Sequence, residues 1–139
     1  MSREIKFRGK RLGDEEWIYG DLSQWSNGRV DISIPTDNPN EKEGVKVIAS
    51  TVGQFTGLCD KNGKEIYEDD VFTVNGKYPK LIKYRQDHAG FCMANLYDLD
   101  KEYLYPWCPI HPDWWKGFNQ EIEVIGNIID NHELLNYLN

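Results

Sequence analysis

The chain has 139 residues, of which 40% are hydrophobic and 13% aromatic, and its formal net charge at pH 7 is −7. A chain of this length buries a hydrophobic core without disulfides or metals, and this aromatic content excludes a disordered chain. No apolar run approaches the roughly 18 to 20 residues that cross a bilayer, and the three cysteines are widely spaced, so the sequence predicts a protein of the reducing cytoplasm.

The first part of the chain shows the alternation of apolar and polar residues that is typical of half-buried strands. This pattern covers Ile5–Arg8, Trp17–Leu22 and Val30–Ile34. Asn27 and Gly28 lie between the second and third of these segments, and both residues tolerate the positive φ of a type I′ turn. The sequence therefore predicts a β-hairpin there.

Residues 35–44 are rich in turn formers and charges and have no apolar periodicity. This composition predicts an exposed loop. The loop is the best candidate for a boundary between two subdomains, 1–44 and 45–139, of a single domain that spans 1–139.

Short apolar segments and glycine-containing turns continue through the second half. Asn62-Gly63 and Asn75-Gly76 predict two further hairpins. The glycines of this region disfavour helices. The strands predicted here lie at residues 45–48, 52–58, 66–67, 71–74, 81–84, 90–94 and 103–105.

The segment 106–115 contains three prolines within seven positions. Each proline removes a backbone donor, so the segment is predicted to be a loop without a strand ladder or a helix. Trp107, Trp114 and Trp115 lie in it and form the candidate interaction surface of the chain, because large aromatic side chains bind with little loss of entropy. The alternatives are that these side chains fill the end of a barrel or pack between subunits.

The C-terminal part predicts one more strand, Glu121–Ile128, followed by a short helix. Asn131 is its candidate N-cap, and Leu134, Leu135 and Leu138 form its apolar side. Short strands with frequent turns favour a small β-barrel or roll over a layered α/β fold. The sequence therefore predicts a mainly β chain that ends in a short helix.

The middle of the chain contains the run Val52-Gly53-Gln54-Phe55-Thr56-Gly57-Leu58-Cys59-Asp60-Lys61-Asn62-Gly63-Lys64-Glu65-Ile66-Tyr67-Glu68-Asp69-Asp70-Val71. This run resembles the central signature of the YopX family of phage and prophage proteins. The segments Ile5–Arg8 and Glu123–Ile128 agree with the same family, so the resemblance extends over nearly the whole chain. It implies a small SH3-like barrel in the second half and an irregular, β-containing N-terminal part. It implies no reaction, no cofactor and no catalytic residue.

The departures from the family pattern are small. The chain has Phe55 where the family often has tyrosine, Cys59 where it often has lysine, and Asp69 where it often has glycine. We interpret the signature as structural, with glycines in turns, apolar residues in the core and charges on turn surfaces.

Metal chemistry has three candidate locations in the sequence. Asp60, Asn62 and Gly63 lack the ligand order of a calcium loop, so they predict a hairpin turn. Cys108 and His111 have the spacing of zinc ligands, but the chain offers no second pair of that spacing. Glu65, Glu68, Asp69 and Asp70 have the chemistry of a magnesium-dependent nuclease site, with a solvated acidic turn as the favoured alternative.

Nucleophilic catalysis would need a cysteine beside a histidine, and the candidates are Cys92 and Cys108 with His88, His111 or His132. Buried cysteine acting as a small hydrophobic residue is the favoured explanation. We therefore expect a protein that is not an enzyme and acts through contacts with itself or with a phage or host protein. The alternatives are a metal-dependent, nuclease-like enzyme and an acidic mimic of DNA. A net charge of −7 opposes tight binding to nucleic acid.

Overall fold

The computed structural model describes residues 3–117 and 120–138. The chain forms two compact units, Met1–Gly57 and Leu58–Asn139. Antiparallel strands make up most of the regular structure in the described residues, and the prediction of a mainly β chain is confirmed.

The first unit is an antiparallel sheet with the strand order β4-β3-β2-β1-β5. The hairpin predicted at Asn27-Gly28 joins β2 to β3, with Gln24 opposite Val30 and Gly28 at a φ of 91°. The strands of this unit are β1 (Phe7–Lys10), β2 (Trp17–Gln24), β3 (Val30–Pro35), β4 (Lys42–Lys46) and β5 (Gly53–Cys59), the last of which continues into the second unit.

Ile32, Val47 and Phe55 are the buried apolar side chains of the first unit. Gly20 on β2 makes the close approach of β3 possible, because a Cβ atom at this position would lie 2.0 Å from the carbonyl oxygen of Ser33. Any side chain at Gly20 would therefore push the two strands apart.

The division into units falls later than the subdomain boundary expected after residue 44. Strand β4 pairs with β3 along its whole length, and Val47 forms an isolated bridge with Arg11. Strand β5 then pairs with β1, where Gln54 lies opposite Phe7. These pairings hold residues 42–57 in the first unit, although they follow the exposed loop.

The second unit contains a five-stranded antiparallel sheet with the order β10-β9-β8-β7-β11. The hairpin predicted at Asn75-Gly76 joins β7 to β8, and both residues have the positive φ of a type I′ turn, 54° and 76°. The strands of the unit are β6 (Glu65–Tyr67), β7 (Asp70–Val74), β8 (Lys77–Arg85), β9 (Gly90–Asn95), β10 (Cys108–Pro109) and β11 (Ile122–Asn127).

Each face of this sheet carries its own hydrophobic cluster. Successive side chains of a strand point to opposite faces, so the neighbours Val71 and Phe72 belong to different clusters. The first cluster contains Ile66, Phe72, Ile82, Met93, Trp115 and Ile122. The second cluster contains Val71, Leu81 and Leu96, with Leu134 and Leu135 packed against it.

The predicted barrel is not closed. Strands β10 and β11 are the two edges of the five-stranded sheet and are not neighbours in its strand order. Strand β10 has only two residues, one of which is Pro109, and a proline cannot donate to a ladder. The sheet is therefore open on the side of this short strand.

The strand predicted at residues 103–105 is wrong, because these residues are in a turn and extended coil without ladder pairing. The segment 106–115 was predicted to lack regular structure, and it contains β10 and a one-turn helix, α1 (Pro112–Trp115). Pro112 lies in the first turn of α1, where a missing N–H costs no hydrogen bond.

The segment predicted as a short C-terminal helix is a 3-10 helix, His132–Leu138. The Asn131 Oδ1 atom, expected to cap it, accepts a hydrogen bond from the backbone N–H of Asn127, at 3.2 Å. Within residues 3–117 and 120–138, no helix is long and apolar enough to span a bilayer.

Candidate interaction surface

The three tryptophans proposed as an interaction surface lie in different environments. Trp115 is 8% exposed, packs against Phe72 with ring centroids 5.2 Å apart, and donates a hydrogen bond of 3.0 Å from Nε1 to the carbonyl oxygen of Cys59. Trp115 is therefore a core residue, as the alternative interpretation of the loop required.

Trp114 and Trp107 are half-buried and pack against different clusters. Trp114 lies 6.3 Å from Trp115, ring to ring, on the first cluster. Trp107 packs on the second cluster and lies under the Arg85 guanidinium, 5.1 Å from the ring centroid. The structure thus does not bring the three rings together on one surface.

The Asp60 turn, residues 60–64, is organised by one buried carboxylate. Asp60 Oδ1 accepts hydrogen bonds from the N–H groups of Asn62 and Lys64, at 2.9 and 3.0 Å, and Oδ2 accepts one from Val124 on β11, at 3.0 Å. Burial raises the pKa of the Asp60 carboxyl, but these three donors together outweigh burial and keep its pKa below the usual value.

The Asp60 turn also covers the free edge of β11. Besides the bond from Val124, the N–H of Lys61 donates to the carbonyl oxygen of Ile122 at 2.8 Å. The N–H of Val124 and the carbonyl of Ile122 lie on the side of β11 that does not pair with β7. Another strand could otherwise pair on that side. The turn was correctly predicted as structural, and its role is to protect a sheet edge.

The acidic residues after the turn are held by contacts within the protein. Asp70 is 1% exposed and accepts a hydrogen bond of 2.8 Å from the N–H of Tyr67. Asp69 is buried and forms an ion pair with Lys83. The described residues contain no group of three or more His, Cys, Asp or Glu side chains arranged to hold a metal ion.

Asp69 has a φ of 75°, a region that favours glycine. Its N–H donates to the carbonyl oxygen of Ile82 at 2.9 Å, and its own carbonyl accepts from the N–H of Ile128 at 3.0 Å. The backbone at this position is thus held between β8 and the residue that follows β11, in a conformation that glycine adopts without strain.

The cysteines and histidines do not form an activated pair in the described contacts. Burial raises the pKa of the Cys92 thiol, which disfavours the thiolate needed for nucleophilic attack. His88 packs on Tyr105, with ring centroids 5.8 Å apart. Cys59 and Cys108 are exposed free thiols.

A surface that was not predicted from the sequence surrounds the turn between β8 and β9. Tyr84 and Phe91 lie opposite each other, with rings 5.6 Å apart in an edge-to-face arrangement. Arg85 Nε lies 3.3 Å from Asp87 Oδ1. Residues Tyr84, Arg85, Gln86 and Asp87 line an open cleft of about 580 Å³.

The segment Tyr103–Tyr105, which we call the tyrosine ridge, borders the same turn. Tyr103 is 87% exposed, Leu104 41% and Tyr105 54%. The Tyr105 hydroxyl donates a hydrogen bond to Asp87 Oδ2. This hydrogen bond raises the pKa of Tyr105 and lowers that of Asp87, because it stabilises the protonated phenol and the ionised carboxylate together.

Sequence reasoning missed the ridge because its three consecutive apolar residues resemble a short strand. The only signal was the acidic stretch Asp98–Glu102, which immediately precedes it and disfavours burial. The fold and the ridge define a mainly β protein with an exposed aromatic surface and with no metal cluster in the described residues.

The model of the YopX protein family matches residues 6–136, and the chain belongs to this family. A solved structure similar to the chain is that of protein EF1440 from Enterococcus faecalis. Its TM-score is 0.58 with 22% sequence identity, and the match covers 96% of this chain and 99% of that one. At this identity the likeness concerns the fold. No curated protein matches the sequence.

Proposed function

We propose that this chain is a non-enzymatic accessory protein of a phage or prophage that acts by contacting another protein. The observation that carries the proposal is the tyrosine ridge, whose three apolar side chains are all more than 40% exposed. Contiguous exposed apolar residues are rare on soluble monomers and mark interaction sites. The chain belongs to the YopX family, and the phage or prophage setting is part of the proposal.

The second unit has an SH3-like arrangement in this proposal. In its five-stranded sheet, β7 lies between β8 and β11. The one-turn helix α1 comes directly before β11 in the chain. Such small β scaffolds present binding residues on the loops between strands. Both the cleft and the tyrosine ridge lie on such connections, next to the β8–β9 turn and before β10.

A reducing cytoplasm is the compartment that suits the chain. All three cysteines are free, and two of them are exposed. Exposed free thiols are uncommon in secreted proteins of this size, where cysteines pair.

The absence of enzymatic activity is part of the proposal. Besides the contacts of Asp69 and Asp70, Glu68 Oε2 accepts a hydrogen bond of 3.3 Å from the N–H of Tyr84, and Glu65 accepts one of 3.2 Å from the Tyr67 hydroxyl. Glu68 and Asp70 thus accept from backbone N–H groups, and Glu65 and Asp69 contact other side chains, which supports a structural use of these carboxylates. The alternative is a metal-dependent nuclease that uses the same carboxylates.

A nuclease assay separates these two functions. The chain is incubated with single-stranded and duplex DNA in the presence of Mg²⁺ or Mn²⁺, beside the variants Glu68→Gln and Asp70→Asn. We expect no cleavage above the level of a mock purification. Metal-dependent cleavage that disappears in either folded variant would refute the proposal and support the nuclease.

A DNA mimic is the second candidate, and the charge distribution favours it specifically. The second unit has eight lysines and arginines against fourteen carboxylates, so it carries −6 of the total charge of −7. An acidic surface of this kind attracts proteins that bind phosphate. The same charge opposes tight binding of the chain itself to DNA or RNA. Competition with DNA for the captured partner distinguishes a mimic from other protein contacts.

A further inference from the structure

We infer that the tyrosine ridge binds a flexible, arginine- and lysine-rich segment of a partner protein. This inference rests on the proposed function and adds to it the surface used and the chemistry of the partner. The ridge and the acidic stretch Asp98–Glu102 are continuous in sequence, so aromatic rings and carboxylates occupy one surface segment.

The aromatic part of this surface is available for contact. Tyr103 is 87% exposed, and Leu104 and Tyr105 extend the apolar area beside it. Tyrosine rings attract guanidinium and ammonium groups through the negative face of the ring. The protein uses the same chemistry internally, because the Arg85 guanidinium lies over the Trp107 ring.

The charged part selects a cationic partner. Asp100 and Glu102 are exposed and directly precede Tyr103. The one lysine of the stretch, Lys101, donates a hydrogen bond of 3.0 Å to Asp98, so its charge is already compensated. The surface next to the ridge therefore keeps a net negative charge, which complements a basic segment and steers its approach.

The same charge argues against two other occupants. Symmetric pairing with a second copy would bring like carboxylates together, since both partners use the same surface in such a contact. A nucleic acid would place its phosphates against Asp100 and Glu102, which repel them. A basic segment of a different protein is the occupant that the charge favours.

The test uses the full chain and a fluorescein-labelled peptide of alternating arginine and glycine, with binding followed by fluorescence anisotropy. The ridge variant carries Asp100→Asn, Glu102→Gln and Tyr103→Ala. The matched control carries Glu41→Gln and Glu43→Gln, which remove the same number of exposed charges from the first unit. We expect the ridge variant to raise Kd about tenfold or more and the control less than about twofold.

The contribution of the ring is measured separately. Tyr103→Ala alone should weaken binding about two- to fivefold, and Tyr103→Phe should restore it, because both aromatic rings attract cations. Circular dichroism verifies that each variant is folded. If the ridge variant and the control weaken binding equally, the peptide is attracted to net charge only, and the inference is overturned. The inference is also overturned if peptide binding does not saturate, or if a single-stranded DNA of similar length binds more tightly than the peptide.

A parallel experiment separates this inference from the proposed function. Photo-crosslinking in host cells compares the wild-type chain with the ridge variant. If both crosslink to the same proteins, the inference fails and protein contact stands. If the nuclease assay shows activity, the proposed function fails whatever the peptide does.

Discussion

Replacing Asp60 tests whether one buried carboxylate organises the most distinctive segment of the chain. Asp60→Ala removes the acceptor of three backbone N–H groups, those of Asn62, Lys64 and Val124. Hydrogen bonds to a charged group contribute about 1.5 to 3 kcal/mol each. The donors of Asn62 and Lys64 are on an exposed turn, where water replaces the carboxylate, so we expect a loss of about 3 kcal/mol rather than the full sum.

Urea unfolding followed by tryptophan fluorescence measures this loss. With a slope of about 1.5 to 3 kcal/mol per molar urea, the midpoint should fall by about 1 to 2 M. Asp100→Asn is the control, because Asp100 is exposed in the same unit and loses the same charge. An Asp60→Ala midpoint within about 0.3 M of this control would refute the reasoning.

The pH dependence gives an independent measurement of the same contacts. The pKa of Asp60 is lowered in the folded protein, so its stabilisation is complete above the unfolded value of about 4 and is lost as the pH falls through the folded pKa. Asp60→Asn has no titrating group at this position. The difference in unfolding free energy between wild type and Asp60→Asn should therefore shrink as the pH is lowered from about 5 to 2, and a constant difference would contradict the assignment.

Three further results are expected. Trp115→Ala should destabilise the protein by about 3 to 5 kcal/mol in urea unfolding, since it empties a core site and removes a hydrogen bond, and Trp115→Phe should recover most of this loss. The unfolding free energy of Asp69→Gly should be about 1 kcal/mol higher than that of Asp69→Ala, because both variants lose the ion pair but only glycine adopts a φ of 75° without strain. Equal unfolding free energies would exclude strain at this position. Light scattering after size exclusion should give a mass above 16.2 kDa at tens of micromolar, and Trp107→Ala should lower it if the tryptophan loop is the interface; a wild-type monomer would rule out self-association.

The turns were the part of the fold that sequence reasoning predicted best. Asn27-Gly28 and Asn75-Gly76 join the strands that were expected, but only the second pair has the two positive φ angles of a type I′ turn, since Gly28 has a positive φ and Asn27 does not. The unit boundary after Gly57 was not predicted, because it depends on which strands pair across long separations. Local patterns contain no information on that pairing.

The different environments of the large aromatic residues could not be predicted for a related reason. Trp115 and Tyr103 are both large aromatic residues with prolines nearby in the sequence, yet one is 8% exposed and the other 87%. The composition of the surrounding sequence does not distinguish the two residues. The difference in their burial follows from the packing of α1 against the sheet. The tryptophans were proposed as a surface because they are large aromatic residues in a proline-rich loop, whereas residues 103–105 were predicted to form a strand.

The family signature is therefore informative about structure and silent about chemistry. Its buried carboxylate covers the free edge of β11, and its positive-φ position holds the chain between two strands. A sheet edge left open would invite pairing with another chain, so protection of the fold is sufficient to explain these residues. Residues that bind a partner must instead remain exposed, as the tyrosine ridge does outside the signature. Differences in partner binding among proteins with this signature should accordingly be sought in the exposed residues between β9 and β10, such as the tyrosine ridge.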